Sequence, residues 1–191
     1  MSKQFITQYE GNDPLIARHF SSLSAALKNV PTTDAATARA AYEAAMEADC
    51  EASEAAIDAE GTPQEEAAEA AADATWEALC EAQNVLMCTE IHEMVSAIKA
   101  KLAAASVRFA VEMHLVTTPS VVFYPIFTPA ATFRFEGNCV ALIHSPLNDT
   151  EEGILNGLEA EVRCNDKVVC FLLPEELDDF VGYIRDHNGG E

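Results

Sequence analysis

Apolar residues recur every three and four positions near the start of the chain, at Leu15, Ile16, Phe20, Leu23 and Leu27. That spacing predicts a first amphipathic helix. Asp13 before Pro14 supplies its N-cap and first position, and Pro31 stops it after Asn29. A second helix starts at Thr33 or Asp34, runs through Tyr42, Met46 and Ile57 to Glu60, and ends on Gly61 in a left-handed conformation. Thr62, Pro63, Glu65 and Glu66 read as a restart, so a third helix over residues 63–104 should turn back antiparallel to the second. Along it, Trp76, Leu79, Gln83, Leu86, Glu90 or Ile91, Met94, Ile98 and Leu102 form one seam expected to face other helices.

After Ser106 the period changes from 3.6 to two. Val107, Phe109, Val111, Met113 and Leu115 alternate with Arg108, Ala110, Glu112 and His114, the pattern of a half-buried strand. Residues 121–127 are β-branched and aromatic, but Pro119, Pro125 and Pro129 restrict this stretch to an edge, a bulge or an irregular crossing; its aromatic residues are read as core, the alternative being a dimer or partner surface. Two hairpins follow, turning at Gly137 and Asn138 and at Asn165 and Asp166, with a polar loop or short helix over 145–157 between them. Pro174, Glu175 and Glu176 open a last helix with Leu177, Phe180, Val181 and Ile184 on its buried face. The predicted fold class is therefore α+β. A helical region with a long acidic antiparallel hairpin occupies 1–105, and a small antiparallel sheet closed by a C-terminal helix occupies 106–191.

Charge changes this picture. The 191 residues carry a net charge of -21, and fifteen carboxylates, from Glu43 to Glu93, lie within residues 40–98, where there is no Lys or Arg. Glu65, Glu69, Asp73, Glu77 and Glu81 follow at intervals of four on the third helix, one about every 6 Å along it. Glu43, Glu47, Glu51, Glu54 and Asp58 form a similar row on the second. Like charges four apart oppose a helix by roughly 0.2 to 0.5 kcal/mol per pair, which alanine between them offsets. Interleaved lysines would serve stability better, so the rows read as a surface kept for a positively charged partner. Solvation of an acidic face, as in a halophile, is the plainer alternative, but a halophile's acids should cover both halves of the chain.

Such a rod has the electrostatics of a nucleic acid strand and fits a Lys- and Arg-lined groove. Direct binding to nucleic acid or to an anionic membrane is disfavoured by the same charge.

Chemistry of other kinds finds little support. Cys88, His92 and Glu93 make at most half a metal site, and no HExxH pattern follows; no metal or other cofactor is expected. His144, Ser145 and Asp149 share one loop, whereas a catalytic triad draws on separate elements. His114 could pair with Glu112 on one strand face. There is no P-loop, GxGxxG or GxSxG motif, so the expectation is a protein that is not an enzyme. The six cysteines include no CxxC pair and read as free thiols of a reducing, cytoplasmic compartment. No signal-peptide core or spanning apolar run is apparent.

In composition and charge layout, though in no shared motif, the chain resembles the inhibitors that bacteriophages and mobile elements direct against host nucleic-acid-handling defences, such as anti-restriction and anti-CRISPR proteins. The resemblance implies binding to a basic groove of a host nucleic-acid-binding complex. The alternative is an immunity, antitoxin or adaptor protein for a basic partner unrelated to nucleic acid.

Overall fold

The computed structural model describes residues 4–6, 11, 14–118, 126–145 and 157–188. It is an α+β protein: a short strand β1 (Gln4–Ile6), helices α1 (Pro14–Lys28), α2 (Ala35–Ala59) and α3 (Glu65–Ala104), strands β2 (Phe109–Thr118), β3 (Ile126–Phe135), β4 (Cys139–His144), β5 (Leu158–Cys164) and β6 (Lys167–Leu173), and helix α4 (Leu177–His187). All strands form one antiparallel sheet in the order of the sequence. β1, pairing with β2 ahead of the helices, has no counterpart in the predicted element order. Asp13 and residues 119–125 and 146–156 lie outside the described residues, so the expectations placed on them are not addressed.

Two compact units divide the chain, and they do not follow the change of local pattern at 105–106. One unit joins residues 1–30 to 91–191; the other is residues 31–90, inserted between them.

In the first unit, strand register assigns the sheet faces. Phe127, Ala131, Phe133 and Phe135 of β3 share a face with Ala141 and Ile143, with Ala160 and Val162, and with Phe171 and Leu173. Every one of these is buried. α1 covers this face where Phe20 meets Phe127 edge-on, ring centroids 5.1 Å apart. α4 covers it where Phe180 meets Phe171 at 5.8 Å, and Leu177, Phe180, Val181 and Ile184 are the four residues α4 buries, as predicted. The end of α3 is tied to both helices: His92 Nε2 donates to the Leu27 carbonyl at 3.0 Å, and Lys101 pairs with Asp178. Here the predicted seam holds, with Ile91, Ile98 and Leu102 buried and Val95 added to them.

Pro129 deserves its position on physical grounds. It lies within β3, which has neighbours on both sides, yet β4 pairs with β3 only from Ala130 onward. Among the described residues the strand at Pro129 has β2 alone as a partner, opposite Leu115, a half-edge position of the kind that tolerates proline. Edge character is thus local to that end of the strand.

Cys139 and Cys164 correct the reading of six free thiols: they stand directly opposite each other on β4 and β5 and are joined as a disulfide. Register produced this pair, and spacing in the sequence does not reveal it. Cys50, Cys80, Cys88 and Cys170 form no disulfide among the described residues.

Candidate functional site

Residues 31–90 hold fifteen carboxylates against the single cation Arg39, or -14 of the chain's -21. α2 starts at Asp34, whose side chain accepts from the Thr37 N–H at 2.8 Å; this bond holds the Asp34 carboxyl below its usual range. The helix ends as predicted, with Gly61 at φ 72°, where a side chain would be strained. Glu65 then folds back, its carboxylate accepting from the Gly61 N–H at 2.8 Å, and α3 begins.

Two cross-helix contacts set the register of the hairpin. The Thr75 hydroxyl reaches the Asp49 carboxylate at 3.2 Å, and Arg39 pairs with Glu90. Partners on α2 fall as those on α3 rise, so the helices run antiparallel. Between them lie small side chains: Ala45, Ala52, Ala56 and Ala59 on α2 and Ala68 and Ala72 on α3 are half-buried, and α2 fully buries only Ala38.

The acidic rows point outward. At about 100° per residue, Glu43, Glu47, Glu51, Glu54 and Asp58 fall within a sector of about 80° opposite Asp49, hence opposite α3. All five are exposed. On α3 the spacing of four exceeds 3.6, so each carboxylate advances about 40° around the axis. Glu65, nearest the seam, is half-buried; Glu69, Asp73, Glu77 and Glu81 are exposed and sweep across the outer side of the helix. The α3 row is therefore a shallow spiral instead of one face, and the two helices carry their acids back to back. Over the roughly 38 Å of α2, net charge amounts to about one unit per 2.7 Å, compared with about one per 1.7 Å of duplex DNA. The field acts on Cys80, whose thiol is pushed up by burial and further by the negative charges of Asp49 and Glu77.

Trp76 overturns one expectation. Periodicity puts it in the seam expected to face other helices, but it is 59 % exposed, whereas Leu79 and Gln83 are half-buried and Leu86 buried. Near its level on α2, Ala45 and Asp49 are too small or too polar to cover an indole, and Met46 is itself 44 % exposed. Met46 and Ile57 are likewise exposed.

Other candidate chemistry is placed as follows. Cys88 is buried in α3, its thiol pushed up to about 12 by that burial. His92 is engaged with Leu27, and no group of three or more potential metal ligands occurs among the described residues. His114 lies 3.5 Å from the Thr132 hydroxyl, and burial lowers its pKa despite the opposing charge of Glu112. His144 is fully buried, its Nδ1 donating to the Ser145 carbonyl at 2.9 Å; Asp149 is outside the described residues. Register aligns His114, Ala130 and His144 across three strands on the sheet face away from α1 and α4. No described helix is long and apolar enough to cross a membrane.

Comparison of the chain with protein-family models, curated proteins and solved structures finds no match.

Proposed function

We propose that this protein is a non-enzymatic inhibitor, of the kind carried by phages or mobile elements, whose acidic hairpin occupies the basic groove of a nucleic-acid-binding defence complex. Support comes chiefly from one observation: nine exposed carboxylates in two rows line the outer sides of a hairpin containing one cation, and that cation is already paired with Glu90. Apart from Arg39, residues 31–90 hold no Lys or Arg to offset them. A groove lined by Lys and Arg gains from the rows what it gains from phosphates, so hairpin and nucleic acid compete for the same cations. Rows on both outer sides suit a groove that wraps the rod, and the sheet unit serves as a scaffold or second contact.

A cytoplasmic site of action belongs to this proposal, because the complexes concerned handle nucleic acid there. In that compartment Cys139 and Cys164 would be held as thiols; buried side by side, they remain acceptable core residues.

Competition provides the test. Partners captured from a host lysate at low ionic strength should be released by salt and by excess single- or double-stranded nucleic acid. Release by salt but not by nucleic acid would reject mimicry and leave an immunity, antitoxin or adaptor role. The variant Glu69→Gln, Asp73→Asn, Glu77→Gln, Glu81→Gln should bind at least about tenfold more weakly, a loss of about 1.4 kcal/mol, with a shallower dependence of affinity on salt. Unchanged affinity at low salt removes the α3 row from the contact.

A further inference from the structure

Resting on the reading of the hairpin as the partner-binding surface, we infer that Trp76 is its anchor and that the partner meets it with an arginine side chain. An indole left mostly in water forgoes the stabilisation that burial would bring. Its neighbours extend the patch. Counting from the Asp49 and Thr75 contact, Met46 lies about 60° further round α2 and Trp76 about 100° further round α3. In antiparallel helices, rotations of the same sense lead to the same side of the pair, so Met46, itself 44 % exposed, flanks Trp76 at nearly the same level. Helical side chains lean toward the preceding turn, which brings the indole over Ala72 and beside Asp73, with Glu69 one turn further along the same row.

Charge selects the occupant. A second copy of the chain would bring -14 against -14, and nucleic acid or an anionic bilayer would be repelled in the same way. A purely apolar partner would strip water from Asp73 and Glu69 and offer nothing in return. Lysine answers the charge but lays no planar surface on the ring. Arginine does both: its guanidinium stacks on the indole face while its N–H fork meets the carboxylates.

Trp76 is the only tryptophan, so the intact protein reports on its own contact. Nona-arginine and nona-lysine peptides are titrated at low salt, following Trp76 emission and, independently, heat of binding. The arginine peptide should bind about three- to tenfold more tightly than the lysine peptide and perturb the emission. Trp76→Ala should abolish that preference and leave the slope of affinity against salt unchanged, while Trp76→Phe keeps part of it; circular dichroism checks that both variants retain their helices. Glu69→Gln with Asp73→Asn should weaken both peptides and flatten the slope. An arginine preference that survives Trp76→Ala, or saturation without any change in emission, overturns the anchor and leaves the hairpin reading standing. If neither peptide binds, the hairpin reading itself fails, and the anchor with it.

Discussion

Phe180 and Trp76 are both large aromatic residues at helical spacing from apolar neighbours, and their surroundings give them opposite roles. Phe180 is fully buried against Phe171, so Phe180→Ala should cost about 3 to 5 kcal/mol in urea unfolding. Trp76→Ala should cost well under about 1 kcal/mol, since most of the ring is already in water. A large loss of stability in Trp76→Ala would show that the ring is structural. Periodicity identified both positions because it records which residues align on one side of a helix; it does not record whether a neighbour of adequate size stands opposite. At Phe180 a sheet does so, while at Trp76 the α2 side offers Ala45, Asp49 and a Met46 that is itself exposed.

Elements were legible where local chemistry alone decides them. Asn165 adopts φ 53°, which asparagine tolerates better than most residues, and the hairpin around it spans the predicted residues on both strands. Gly61 is a similar case. What depends on pairing between distant segments was not legible: β1 against β2, the end of β4 that relieves Pro129, and the opposition of Cys139 to Cys164. That last pair gives an element-scale prediction. Oxidised in air after isolation and then unfolded without reductant, the protein should expose four titratable thiols, rising to six once reduced, and in that oxidised form Cys139→Ala with Cys164→Ala should lower stability by about 3 kcal/mol, given the 25-residue separation. Six thiols before reduction would refute the bond. Within the candidate site, the acidic residues could be read directly because exposed charge needs no partner to be recognised; the inward position of Asp49 emerged only with the Thr75 contact.

For the molecule as a whole, mild acid should destabilise. Burial holds His19 and His114 below the ordinary histidine value, favouring their neutral forms in the folded state. The unfolded chain therefore takes up protons first as pH falls through about 6.5, and stability declines in that direction. The urea midpoint should be lower at pH 5.5 than at pH 7.5, and His114→Gln should flatten the difference; a midpoint that rises on acidification would contradict this. One further consequence comes from the bond between His92 and the Leu27 carbonyl, which fastens the last turn of α1 to the first residues of α3 beyond the inserted segment. Because entry and exit are clasped there, residues 31–90 form a cassette: replacing them with a short glycine-serine bridge should yield a truncated protein that still melts cooperatively, and grafting another helical hairpin into the gap should retarget it without redesign of the sheet.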